Sequence, residues 1–299
     1  MKPEPVAEPH TARHAATAAL AAASARLARA GVESARLDAE LLMAAAAGVS
    51  RAALVAGTVQ IDTAAIARFE RMVVRREARE PLAYIVGQRE FFSLELAVRP
   101  GVLIPRPETE TVAEAALDFL RARPQASVLD IGTGSGAIAI AIAKYARAAK
   151  IVASDISKVS LEVAADNARR HRCAGRITFV QGDCFAALDG DAPAFDLFDL
   201  IVSNPPYITE AELATLAPEV RDFEPRGALE GGRDGMDFYR RIATGLQRWL
   251  VRGGEVMVEV GAGQADAVEA MMRAAGCGES ARLRDLAGVE RVVRARRGL

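Results

Sequence analysis

The chain has 299 residues, 51% hydrophobic and 26% charged, with a formal net charge of -1. That balance excludes the low-hydrophobicity signature of a disordered chain, and the length suggests two domains around sizeable cores. Near neutrality lacks the electrostatic footprint of a protein that lives on nucleic-acid phosphates.

Cys173, Cys184 and Cys277 form neither a paired framework nor a zinc spacing, which points to a reducing compartment and to no metal. Arg26 and Arg29 interrupt the alanine-rich run near residues 15–30, so no apolar stretch reaches membrane-spanning length. The expectation is a soluble, cytoplasmic protein that does not associate with membrane.

Between about residues 14 and 80 glycine and proline are scarce and apolar residues recur at helical spacing. Ile66, Phe69, Met72 and Val73 fall on one face of a helix that Asp62 would cap. Leu37, Leu41 and Leu42 mark another helix, which Gly48 would end. A small helical bundle is predicted.

The character changes at Pro81. In "FFSLELAVRPGVLIPR", Phe92, Leu94, Leu96 and Val98 alternate with Ser93, Glu95, Ala97 and Arg99, and Pro100-Gly101 then offers a turn into Val102, Leu103 and Ile104. That reads as a β-hairpin connecting two domains.

Beyond residue 107, helices and short apolar strands alternate: helix 108–122, strand "SVLDIG", helix 136–147, strand "KIVASD", helix 158–171, strands "ITFVQGD" and "FDLIVSN", helix near 236–250, strand "GGEVMVEVG", helix 263–275, and "GVERVVRARR" as an edge strand. The pattern predicts an α/β domain with a mostly parallel sheet covered on both faces.

In "VLDIGTGSGAIAIAIA", Gly132, Gly134 and Gly136 stand between a strand and a helix, where backbone approaches a ligand closely and helical N–H groups are free. With Ala137 the loop also nearly satisfies the dinucleotide pattern, so a nicotinamide-type cofactor competes at this point. Asp155 ends the next strand at the distance expected of a ribose-binding acid, or caps the helix that follows. Asp183 is placed to accept from an adenine amino group, or serves as a turn residue.

The "FDLIVSN" strand runs into Asn204, Pro205, Pro206 and Tyr207. Prolines lack an N–H and restrict the residue before them, so Asn204 Oδ1 and the Pro205 carbonyl would be held as two stiff acceptors for a planar –NH₂ group. Such acceptors orient a poorly nucleophilic nitrogen toward a methyl donor and stabilise the positive charge that grows on it. Tyr207 would pack on the substrate plane or fill space over the sheet edge. His10, His14 and His171 read as helix surface, and no residue is required as a general base.

"LDIGTGSG" followed by "NPPY" resembles the S-adenosylmethionine-dependent methyltransferases that modify exocyclic or amide nitrogens. "PLAYIVGQREF", "VLIPRPETE", "SNPPYI" and "ALEGGRDGMDFYRRI" resemble, more narrowly and over nearly the whole chain, the HemK/PrmC family, which methylates the glutamine of the Gly-Gly-Gln tripeptide in peptide chain release factors.

The resemblance implies a class I, Rossmann-like S-adenosyl-L-methionine-dependent methyltransferase domain with a seven-stranded sheet. It would occupy residues 107–299, after a helical substrate-recognition domain (1–85) and a hairpin linker (86–106). It implies that Gly132, Thr133, Gly134, Ser135 and Gly136 hold the methionine part of the cofactor and Asp155 the ribose. Asp183 and Cys184 would hold the adenine, and Asn204, Pro205, Pro206 and Tyr207 would clamp the glutamine, with S-adenosyl-L-homocysteine as product.

Relatives often carry an aromatic residue after the adenine-side acid, where this chain has Cys184 and then Phe185. A related enzyme that modifies a glutamine of a ribosomal protein lacks the Pro107-Glu108-Thr109-Glu110 segment, which favours release factors as partner. Glu108 and Glu110 also suit the first turn of a helix without any such role. An adenine methyltransferase of nucleic acid and a non-enzymatic assembly module are the other readings. The chain is expected to be a monomer without direct nucleic-acid binding.

Overall fold

The computed structural model describes residues 9–189 and 196–299, with side chains from residue 15 onward, so the side chains of His10 and His14 lie outside the described residues. The chain forms two compact units, one running to Gly87 and joined by Pro218–Phe223, the other made of Gln88–Ala217 and Glu224–Leu299.

The smaller unit is the expected helical bundle: α1 (Pro9–Arg29), α2 (Ala35–Ala47), α3 (Arg51–Val55), α4 (Thr63–Glu77) and α5 (Leu82–Val86). Its core is built on Leu27, Leu42, Met43, Phe69 and Val73, whereas Leu37 is exposed. Asp62 Oδ1 accepts from the Ala65 N–H at 2.6 Å, and Gly48, left-handed at φ 67°, closes α2. The short segment Pro218–Phe223 joins this unit through Glu219. Its carboxylate receives Arg79 Nε and Nη2 at 2.8 and 2.6 Å and Arg76 Nη2 at 3.0 Å, while the buried Arg76 also donates to Asp38 at 2.7 Å.

The larger unit opens with the antiparallel hairpin β1 (Gln88–Phe91) and β2 (Leu94–Ala97). Its reversal falls at Phe92 and Ser93, with φ of 50° and 59°, and not at Pro100-Gly101. Two left-handed residues match the twist of the flanking strands, but neither is the Gly or Asn that would announce such a turn. The chain does turn at Pro100-Gly101, where the Val102 N–H donates to the Arg99 carbonyl, yet Val102, Leu103 and Ile104 form no strand. Phe91, Leu94 and Leu96 are part of this unit's core.

Next come α6 (Glu110–Ala122), β3 (Ser127–Ile131), α7 (Ala137–Tyr145), β4 (Lys150–Asp155), α8 (Lys158–Arg170), β5 (Ile177–Gln181) and β6 (Phe198–Ser203). After α9 (Glu210–Leu213) and α10 (Pro218–Arg221), the latter in the smaller unit, follow α11 (Asp237–Trp249), β7 (Leu250–Glu259), α12 (Ala265–Ala274), β8 (Cys277–Arg284) and β9 (Glu290–Arg297).

The expected mostly parallel sheet has seven strands in the order β5-β4-β3-β6-β7-β9-β8, with β9 antiparallel to both neighbours. Alternate residues serve the two faces. Val128, Ile151 and Leu200 pack under α6 and α7, and their successors Leu129, Val152 and Ile201 pack in the core that includes residues of α11 and α12. The segment 288–297, expected at the edge, lies inside the sheet. The edge is β8, whose exposed Glu279, Ser280 and Arg282 lack the apolar alternation that marks a half-buried strand. No described helix is long and apolar enough to cross a membrane.

Candidate active site

Parallel register brings the carboxyl ends of four strands to one rim. Ile131 stands opposite Ser154 and Ser203, and Asp155 opposite Gln181. Residues just beyond those ends therefore meet, as ligand-binding residues do in open α/β sheets.

A cavity of about 220 Å³ lies there, lined by Gly132, Thr133, Gly134, Ser135, Asp155, Asp183, Cys184, Asn204, Pro205 and Pro206, together with Leu103, Thr109, Pro225 and Phe238. Two of the site residues named from sequence, Gly136 and Tyr207, do not line it.

The glycine loop is shaped by backbone bonds. The Gly132 and Thr133 N–H groups both donate to the Ser154 carbonyl at 2.9 Å, and Gly134 N donates to Asp155 Oδ2 at 2.9 Å. Gly132 and Gly134 are left-handed, and the positions a Cβ would take there have no protein atom within 4 Å, so the loop leaves room for a ligand to reach its backbone. Gly136 has another task. It caps α7 at φ 85°, and a Cβ would come within 2.8 Å of Ile140 and 3.1 Å of Ala164.

Beneath the loop, Asp130 Oδ2 accepts from Thr133 Oγ1 at 2.7 Å and from the Ala139 N–H at 3.2 Å. Burial pushes the Asp130 carboxyl up to about 7, and its Oδ1 is buried without a hydrogen-bond partner.

Asp155 does not cap α8; Ser157 does, accepting from the Ser160 N–H. Asp155 spans the loop and the strand end, receiving Gly134 N on one oxygen and Ser157 N on the other. Burial raises its carboxyl and these two bonds partly offset the shift. Asp183 pairs with Arg241, whose guanidinium lies 5.0 Å from the Phe238 ring centroid. Cys184 sits left-handed at φ 53°, and burial pushes its thiol up.

At the end of β6, Ser203 Oγ donates to the Ile131 carbonyl at 2.7 Å. Asn204 Nδ2 donates to Thr109 Oγ1 at 2.9 Å, and Thr109 in turn donates to Glu259 Oε2 at 2.5 Å. Tyr207 OH donates to the other Glu259 oxygen at 3.2 Å. Burial pushes the Glu259 carboxyl up to about 7.

Gln264 Nε2 holds the Tyr207 carbonyl at 2.9 Å, and the 229–235 segment packs alongside, with Ile208 and Gly231 exchanging backbone bonds with their neighbours. Glu224 receives the Ile104 N–H at 3.1 Å and pairs with Arg106, which ties the approach to α6 to the loop after residue 207.

Thr109, Glu259, Gln264 and Glu224 were not singled out as site residues from sequence. Glu259 had a signal available: a lone acid near the end of the apolar "VMVEVG" run. Thr109 lay inside the segment quoted for the family resemblance. Among the described residues no group of three or more His, Cys, Asp or Glu side chains could hold a metal ion.

Residues 18–87 match the family model described as the PrmC N-terminal domain, and residues 99–219 match the methyltransferase small domain. A release factor glutamine methyltransferase of Geobacter sulfurreducens is 45% identical over 273 residues, covering 91% of this chain and 93% of that one. One of Moorella thermoacetica is 43% identical over 275 residues, covering 91% and 95%. Among solved structures, a methyltransferase from Pyrococcus furiosus aligns with a TM-score of 0.50 at 17% identity over 77% of this chain and 98% of that one, a likeness of fold.

Proposed function

The chain belongs to the release factor glutamine methyltransferase family, and from that premise we propose the reaction it performs: transfer of a methyl group from S-adenosyl-L-methionine to the side-chain nitrogen (N5) of the glutamine in the Gly-Gly-Gln motif of peptide chain release factors. The observation that carries this reading is the meeting, in one cavity, of the open glycine loop with Asn204, Pro205 and Pro206.

Residues 132–135 would hold the methionine part of the cofactor, Asp155 the ribose, and Asp183 with Cys184 the adenine. The cofactor supplies an electrophilic methyl group on a sulfonium. Asn204 Oδ1 and the Pro205 carbonyl accept the two N–H bonds of the glutamine amide. Asn204 is suited to this because its Nδ2 is engaged by Thr109, leaving the oxygen as the free end of the carboxamide.

The two acceptors fix the plane of the amide and draw electron density to its nitrogen as the N–C bond forms and the C–S bond breaks. The N-methylated amide is strongly acidic and passes its proton to solvent, with S-adenosyl-L-homocysteine as the other product. Tyr207, with its hydroxyl on Glu259 and its carbonyl on Gln264, supports the clamp from behind. The helical unit grips the release factor away from the glutamine, as a cytoplasmic monomer.

Mass spectrometry of release factor incubated with enzyme and cofactor tests the reading. One added methyl on the Gly-Gly-Gln peptide is expected; no gain refutes it.

A further inference from the structure

Asn204 can serve as an acceptor only if its carboxamide is the right way round. Rotation by half a turn about the Cβ–Cγ bond exchanges oxygen for NH₂ and turns an acceptor into a donor that opposes a substrate N–H. What selects the orientation is the hydroxyl of Thr109, which has one proton to give. It lies between Asn204 Nδ2 at 2.9 Å and Glu259 Oε2 at 2.5 Å, and both Thr109 and Glu259 are buried.

We propose that Thr109 and Glu259 are positioning residues that fix the hydrogen-bond polarity of Asn204. The Glu259 carboxylate takes the Thr109 proton, Thr109 can then only accept from Asn204, and Asn204 Oδ1 is thereby presented to the substrate amide. This rests on the reading of Asn204 as the amide acceptor.

A carboxylate can only accept, so it orders the whole row: Tyr207 OH donates to Oε1, Thr109 to Oε2, Asn204 Nδ2 to Thr109. A neutral carboxyl, or the amide of a Gln at this position, carries a donor beside its acceptor and can turn that donor to Thr109. The threonine proton then points to Asn204, and the carboxamide is driven over.

The groups that face Glu259 determine when it is ionised. Thr109 and Glu108 come from the turn just before α6, Tyr207 from the loop after β6, Tyr239 from α11 and Arg291 from β9. Thr109, Tyr207 and Arg291 favour the carboxylate, while burial and Glu108 oppose it. The balance leaves the carboxyl at about 7, so both polarities are accessible near neutral pH.

The test is methyl transfer to intact release factor by wild type and by Thr109→Val, Thr109→Ser and Glu259→Gln, with cofactor affinity by calorimetry. Thr109→Val and Glu259→Gln are expected to lose about 30- to 300-fold in kcat, the scale of one misdirected transition-state hydrogen bond, with cofactor Kd held within about threefold. Thr109→Ser, which keeps the hydroxyl, should stay within about fivefold of wild type. Wild-type kcat should rise with pH through about 7, and Glu259→Gln should lose that rise.

A wild-type rise with pH that persists unchanged in Glu259→Gln overturns the proposal. So does full kcat in Thr109→Val. If wild type itself places no methyl on release factor, it is the functional reading that has failed; active wild type with insensitive variants rejects the polarity mechanism alone.

Discussion

The backbone N–H of Gly134 donates to Asp155 Oδ2 at 2.9 Å, so the acid assigned to the ribose also holds the loop assigned to the methionine portion. One carboxylate would therefore shape two parts of the proposed cofactor site.

Asp155→Ala is expected to lower S-adenosyl-L-methionine affinity by more than about 100-fold, since a direct contact and the loop geometry go together. Asp155→Asn keeps one acceptor oxygen but cannot serve Gly134, Ser157 and a ribose as a carboxylate does, and should lose about 10-fold. Titration calorimetry separates the two. Equal, small losses in both variants would contradict the shared role.

Gly235 is left-handed at φ 74°, and a Cβ there would lie 2.4 Å from the Tyr207 carbonyl oxygen and 2.7 Å from Gln264 Nε2. Gly235→Ala should therefore break the Gln264–Tyr207 bond. It is expected to destabilise the protein by about 2 kcal/mol through strain and the lost bond. kcat should fall while cofactor affinity holds, because the displaced segment follows Asn204 and not the glycine loop. Steady-state kinetics beside denaturant unfolding checks this.

Asp130 leads to a pH dependence of stability. Its folded value is raised from 3.8 to about 7, so the folded state retains a proton that the unfolded chain has released. The favourable contribution is complete below the unfolded value, declines as pH rises, and is gone above about 7. Between about pH 5 and 8 the loss is about 2–3 kcal/mol. Urea unfolding of the cofactor-free protein should show wild type losing more stability over that interval than Asp130→Asn by this amount. Glu259 acts in the same direction and remains in both proteins, so the comparison isolates Asp130.

Much of the fold was legible in the sequence because the parallel strands are largely apolar and separated by helices; "KIVASD" coincides with β4 residue for residue. The failures have local causes. Phe92 and Ser93 turn the hairpin in a left-handed conformation that neither residue advertises, and the fold stabilises that turn by other means: the Phe92 N–H reaches Glu110 at 2.8 Å, and Asn167 grips Ala97 through both its N–H and its carbonyl. β8 was missed because an exposed polar edge carries no period.

At the proposed site, residues marked by glycine or proline punctuation were legible as candidates, and most of them line the cavity. Their supports were not, because Thr109, Glu259 and Gln264 are separated by up to 155 positions (109 to 264) and their relation exists only once the sheet has formed.

Glu219→Ala should destabilise the helical unit by about 2 kcal/mol, since it strips partners from Arg79 and the buried Arg76. Glu219→Gln, which keeps one acceptor, should cost less. Thermal unfolding followed by circular dichroism reads the difference, and identical melting of all three proteins would show that the cluster contributes nothing.

Because Pro218–Phe223 belongs to the bundle while Ala217 and Glu224 belong to the sheet-bearing unit, neither body is a single stretch of polypeptide. On a chain emerging from the ribosome amino terminus first, the earliest helices must wait for residue 219 before Arg76 and Arg79 acquire their shared counter-ion. By then four of the sheet's seven strands have been made, and β7, β8 and β9 are still to come. The bundle thus receives its last piece midway through synthesis of its neighbour, and a fragment cut at residue 87 would lack that piece permanently.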